Sequence, residues 1–180
     1  MNAPFRCRPL MNWMLWVALL PMLRGSVAAQ SSPASSKSDH AVPASVLEHD
    51  FFDAIRAGDA KKVLSYVPRR GVNLGPEAQP TTREDVERQL LAHRGLYCKL
   101  FDSSCIQAPI DLANSARICS DRELLTHSKK VRTASSEITR NGVRQAVLVA
   151  EITNDDCPNQ KLIDFIFNLE ADGWKLFSIP

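Results

Sequence analysis

Residues 161–179 read KLIDFIFNLEADGWKLFSI, and this stretch decides the fold. Ile163, Phe165, Phe167 and Leu169 occupy every second position, so an extended backbone points all four to one side. Leu162, Asp164, Ile166 and Asn168 take the other side. Asp172-Gly173 then separates two strand-like runs, a strong short-range hairpin signal, and Asn141-Gly142 does the same upstream. The spacing predicts strands over 130–140 (KVRTASSEITR), 143–153 (VRQAVLVAEIT), 161–170 and 173–179, arranged as a four-stranded antiparallel meander. In 143–153 the apolar side is Ala146, Leu148, Ala150 and Ile152. In the last strand, strict alternation puts Phe177 and Ile179 on one face and Trp174, Leu176 and Ser178 on the other. The apolar set holds no ionisable residue and is expected to face the helices.

Outward from the meander, the period changes from two to about 3.6. Leu47, Phe51 and Ile55 lie at i, i+4 and i+8 in SVLEHDFFDAIRA (45–57), one apolar stripe with Phe52 beside it. Ser45 and Glu48 have the spacing of a capping box, Gly58 can end the helix, and Asp59 can cap the next one, AKKVLSYV (60–67). Pro68 stops that helix, and GVNLG (71–75) reads as a short extended or turn segment. Thr81 and Glu84 predict a second capping box ahead of EDVERQLLAHR (84–94), which places His93 in a last helical turn, where it suits the helix dipole. Residues 96–128 are irregular, except that Ser120 caps a short helix, DRELLTH (121–127). Helices first and strands last define an α+β fold, helices packed on a curved sheet.

The first 29 residues follow other rules. Arg6 and Arg8 precede an apolar run, MNWMLWVALLPML (11–23), and small residues follow, with Val27 and Ala29 placed for cleavage before Gln30. That order is a secretory signal peptide. The run has 13 residues, whereas a bilayer-spanning helix needs about 20. Residues 30–43 (QSSPASSKSDHAVP) offer little to bury and read as a flexible Ser/Pro-rich linker. The organisation expected is therefore signal peptide 1–29, linker 30–43 and one domain over 44–180, in a periplasmic or secreted protein with no stable membrane span after cleavage.

The whole chain has 180 residues, 44% hydrophobic and 23% charged, which excludes disordered, collagen-like and polytopic membrane classes. Its 22 Lys+Arg and 20 Asp+Glu give +2. Residues 1–29 contain Arg6, Arg8 and Arg24 and no acid, so the exported part carries a net charge of −1. Nucleic acid is not an expected partner.

Export leaves Cys98, Cys105, Cys119 and Cys157, enough for two disulfides with three possible pairings. In a meander, the turn holding Cys157 lies at the same end of the sheet as residue 130, near the segment with Cys119. Pairing Cys119 with Cys157 then leaves Cys98 with Cys105. No C-x-x-C occurs and no histidine lies at ligand spacing, so neither a metal nor another cofactor is expected.

FFDAIRAGDAKKVLSYV (51–67) followed by a capped helix and a meander ending in LEADGWKLFSIP (169–180) resembles the nuclear transport factor two-like superfamily over about 47–180. The resemblance implies a cystatin-like α+β cone, in which a curved sheet wraps helices around a pocket. It implies either enzymes of the ketosteroid isomerase and polyketide cyclase kinds or binding and oligomerisation modules. The pocket-lining candidates are Tyr97, Phe101, Leu148, Phe165, Phe167 and Phe177. An ankyrin unit is the rival reading of AIRAGDAKKVLSYVPRRGVNL (54–74), but no second copy follows and a stack needs at least about three.

No nucleophile elbow, zinc-protease helix, phosphate loop or dinucleotide glycine pattern is present. Asp164 is expected on the outer sheet face, and Asp50, Asp53 and His49 on the solvated side of the first helix. Lys129, Lys130 and Arg132 suit a charged sheet edge, and Arg69-Arg70 a solvated turn. The expectation is an exported, non-catalytic module that binds a small apolar ligand or a protein partner. Val147, Val149, Leu162 and Ile166 on the outer face suit a homodimer. The alternative is a small pocket enzyme, an isomerase, dehydratase or cyclase using acid/base catalysis.

Overall fold

The structure, a computed structural model, describes residues 42–75, 79–106 and 117–179. The expected signal peptide and all of the expected linker up to residue 41 lie outside the described residues.

Helix α1 (Ala44–Ala57) buries Leu47, Phe51, Phe52 and Ile55, the stripe its spacing predicts. The capping box from Ser45 and Glu48 is not formed, because the cap lies two residues earlier, at Pro43, and Pro43 offers no side-chain cap of its own. A free first-turn amide still needs an acceptor. It finds one from the sheet: Ala44 N–H donates to Glu137 Oε1 at 3.0 Å. Gly58 ends α1 at φ 72°, and Asp59 N–H returns to the Ala54 carbonyl at 2.8 Å. Asp59 caps α2 (Ala60–Tyr66) by accepting from Lys62 N–H at 2.8 Å.

After α2 the chain forms a two-residue strand, β1 (Asn73–Leu74), then α3 (Arg83–Leu91). The α3 cap is Thr82, which accepts from Asp85 N–H, one residue later than the Thr81–Glu84 pair expected. Thr81 is committed elsewhere, its backbone bridging Val72 at 2.8 and 2.9 Å. Because α3 stops at Leu91, His93 is not in a last helical turn. It sits beyond the helix at φ 49° and stacks on Tyr97, with ring centroids 4.1 Å apart. The segment read as irregular contains helix α4 (Leu96–Phe101), a 3₁₀ turn (Ser103–Cys105) and, at its end, α5 (Asp121–His127).

Four long strands follow: β2 (Lys130–Arg140), β3 (Val143–Thr153), β4 (Leu162–Glu170) and β5 (Gly173–Ile179). They form the antiparallel meander predicted, but the sheet has a fifth member. Its order is β1-β5-β4-β3-β2, with β1 parallel to β5, so the sheet is mixed rather than wholly antiparallel. Gly75 N–H donates to the Ile179 carbonyl at 2.8 Å and closes that addition. The strict alternation expected in the last strand also fails. Ile166 pairs with Ser178 while Phe167 pairs with Leu176, so Phe177 is an extra residue in a β-bulge. The bulge reverses the phase and puts Trp174, Leu176 and Ile179 in the core together.

Helices against one face of a largely antiparallel sheet is the α+β arrangement that the resemblance implies. The core is closed by rings: Phe51 meets Phe165 and Phe167 edge-on at 4.9 and 5.0 Å, and Phe52 meets Phe165 at 6.0 Å. Each fully buried phenyl contributes about 2–3 kcal/mol of burial free energy. Arg69-Arg70 is not merely solvated, since Arg70 pairs with Glu170 at 2.8 Å across the start of the β4–β5 hairpin.

Candidate functional site

The residues that gather around chemistry lie at the end of the domain held by the two disulfides, Cys98–Cys105 and Cys119–Cys157. The first fastens α4 to the turn that follows it. The second joins residues 38 apart and ties the approach to α5 onto the β3–β4 connection. Gln160 strengthens that tie with its side-chain amide. Its Oε1 accepts from Cys119 N–H at 2.6 Å and its Nε2 donates to the Cys119 carbonyl at 3.0 Å. In the same connection, Asn154 Oδ1 accepts from the backbone of Asp156 and Cys157 and shapes the turn.

Cys119 being fixed, Ser120 and Glu123 start α5 with a full capping box. The first helical residue is Asp121. An acid is ordinary there, because free amide dipoles favour negative charge. Its burial is not ordinary. Asp121 is only 5% exposed, and its Oδ2 is buried without a hydrogen-bond partner among the described residues. Burial pushes its carboxyl up to about 7; the positive charge of Lys99 works against that rise and the negative charge of Asp164 adds to it. A desolvated carboxyl with an unused oxygen marks a candidate functional group.

Asp121 lines a cavity of about 570 Å³, bounded by Arg94, Lys99, Ile106, Ile118 and the sulfur-bearing side chains of the disulfides. Arg94 and Lys99 supply positive charge, and the remaining wall is mainly apolar. A second groove, about 680 Å³, runs between α2 and α3 past Leu64, Leu90, the exposed Leu91, His93 and Tyr97.

The six lining residues expected from the sequence are not gathered at one cavity. Leu148, Phe101, Phe165 and Phe167 are packed into the core, where Phe51 and Phe52 fill the space before them. Tyr97 lines the α2–α3 groove, and Phe177 is half-buried at the bulge, outside the core cluster. None of the six lines the cavity at Asp121. Asp164 is half-buried and paired in register with Val149, on the outer side of β4 as alternation predicts. His49 makes an exposed contact with Asp53 at 3.2 Å. Among the described residues, no cluster of three or more His, Cys, Asp or Glu side chains is placed to hold a metal, and no helix is long and apolar enough to cross a membrane.

No family model and no curated protein matches the chain. Among solved structures, a designed nuclear transport factor two-like protein is similar at 12% identity, over 76% of this chain and 93% of its own, with a TM-score of 0.41. The fold described above does not depend on that similarity.

Proposed function

We propose that this chain is an exported, non-catalytic module that binds a small, largely apolar ligand in the cavity beside Asp121. The observation that carries this reading is the contrast between a helix–sheet interior filled by aromatic rings and an open cavity holding a buried, unpartnered carboxyl. Two disulfides support export, since such bonds persist in oxidising compartments, and the predicted signal peptide supplies the route. Isotope-labelled protein, residues 30–180, titrated with the neutral probe N-phenyl-1-naphthylamine tests it. The amides of Ile106 and Ile118 are expected to shift saturably; unchanged amides at saturating probe would reject the site.

One observation favours catalysis as the second reading. A carboxyl that titrates near neutrality can both take and give a proton at physiological pH. An isomerase, dehydratase or cyclase of this kind would exchange the α-protons of a bound ketone for deuterium in heavy water. That exchange would vanish in Asp121→Asn.

A second copy of the chain is the protein partner we assign to the outer sheet face. Ile138 and Leu162 are exposed there, and Val147, Val149, Ile166 and Phe177 are half-buried, an apolar strip across four strands. The strip is bordered by Arg132 and Glu151, register partners of opposite charge, which suits a two-fold contact that pairs each with the other. Light scattering at rising concentration decides this, and a strictly monomeric mass rejects it.

A further inference from the structure

The ionisable residues of the Asp121 cavity say what the ligand carries. Arg94 and Lys99 are cations, and Asp121 is the single acid among the described lining residues. The two cations outnumber that acid, so the cavity is positive overall whether or not it is ionised, and more strongly so while burial keeps it protonated. Ile106, Ile118 and the disulfides offer an apolar wall for the rest of a ligand. A protonated carboxyl whose oxygen has no partner needs an acceptor, and an oxyanion is the strongest available.

We propose that the cavity captures small amphipathic organic anions, the charged head received by Arg94 and the proton on Asp121, and that capture is therefore proton-linked. The inference rests on the binding-module reading above and names its ligand class. Once Asp121 loses its proton, its carboxylate is a like charge beside the anion and an acceptor without a hydrogen to give.

The charged groups around Asp121 come from three elements. Lys99 on α4 favours its ionisation and Asp164 on β4 opposes it. On its own helix, Glu123 is occupied: burial pushes its carboxyl up, but hydrogen bonds from Ser103 and Ser120 and the nearby Arg117 hold it below the ordinary range. Glu123 therefore stays ionised where Asp121 changes state. His93 precedes Arg94 and faces Tyr97, and its charge has to be separated by a control.

The test uses octanesulfonate, ionised at every pH employed, and octanol, which is neutral, against residues 30–180 by calorimetry and amide shifts. Octanesulfonate is expected to bind about tenfold more weakly at pH 8.5 than at pH 5.5, a change of about 1.4 kcal/mol, while octanol binds alike at both. Asp121→Asn should flatten the profile, and His93→Gln should leave it in place. Arg94→Ala, at an exposed position, should weaken octanesulfonate at both pH values, and by more than it weakens octanol. Octanol binding without a pH-dependent octanesulfonate response overturns the anion inference and spares the binding module. A pH response that survives Asp121→Asn overturns the role of Asp121. Silence of both probes at Ile106 and Ile118 overturns both.

Discussion

The two ends of the domain are held together by different physics. Where α1 crosses the sheet, Phe51, Phe52, Phe165 and Phe167 are each 1% exposed or less and meet edge-on. At the α4–α5 end, two disulfides and the Gln160 amide do the holding, and a cavity and an unsatisfied acid persist beside them. Dense packing fixes a structure by leaving no alternative. Covalent ties fix it without filling space, which frees volume and permits a costly group. The space between helices and sheet, where a pocket was expected, is filled by rings, and the cavity beside Asp121 lies outside it.

Four measurements test that contrast. Phe165→Ala should be the most damaging change, lowering unfolding free energy in a denaturant titration by about 3–5 kcal/mol. A loss under about 1 kcal/mol would mean that the ring end is not tightly packed. Next, replacing Cys119 and Cys157 together by serine opens a loop of separation 38. Chain entropy puts that loss at about 4 kcal/mol, against about 2 kcal/mol for the separation-7 pair Cys98 and Cys105. Equal melting shifts for the two pairs would contradict the idea that the longer tie organises this end.

Asp121→Asn should act in the opposite direction. The folded carboxyl is raised to about 7 and the unfolded one titrates near 3.8, so its contribution to stability is fully present below 3.8 and lost as pH rises to about 7. Above that pH the folded state carries a buried charge. The variant should therefore be more stable than the parent by about 2 kcal/mol at pH 8, with about 4 kcal/mol as a ceiling, and should gain nothing below pH 4. A pH-independent difference in melting temperature would show that Asp121 is hydrated after all. The smallest effect belongs to Glu137→Gln. Arg144 and the Ala44 amide hold Glu137 below the ordinary carboxylate range, so its contribution is present above its unfolded value and lost as pH falls through the folded one. The side chain is a third exposed, which limits the loss at pH 7 to about 0.5 kcal/mol. Faster exchange of the Ala44 amide is the sensitive readout.

The meander was legible because each of its signals is local. Asn141-Gly142 and Asp172-Gly173 mark their hairpins, and three strands have the predicted limits, with the fourth starting one residue late. Alternation failed only at Phe177, where one inserted residue reverses the phase and no nearby glycine announces it. β1 was hidden for another reason: its two residues pair with Ser178 and Ile179, more than a hundred positions away. Helix α4 spans six residues, too short for a period of 3.6 to declare itself. Asp121 illustrates the general limit. Ser120-Asp121-Arg122-Glu123 reads as a normal capped first turn, and neighbours distant in sequence, Lys99 on α4 and Asp164 on β4, surround it only once the chain has folded. The two disulfides were legible from cysteine number, whereas the cavity they frame had no local signature.

Trp174 gives the start of the domain an optical signature. It is the only tryptophan after residue 29, its indole N–H donates to the Val42 carbonyl at 2.6 Å, and the Arg144 guanidinium lies 5.9 Å from its ring. Its emission thus comes from the point where the N-terminal segment joins α1. Tension on that segment, or its removal by a protease past Val42, would strip the indole of its acceptor and admit water, moving the spectrum to longer wavelength while the aromatic core stays folded. From residue 30 onward, the chain carries its own strain gauge.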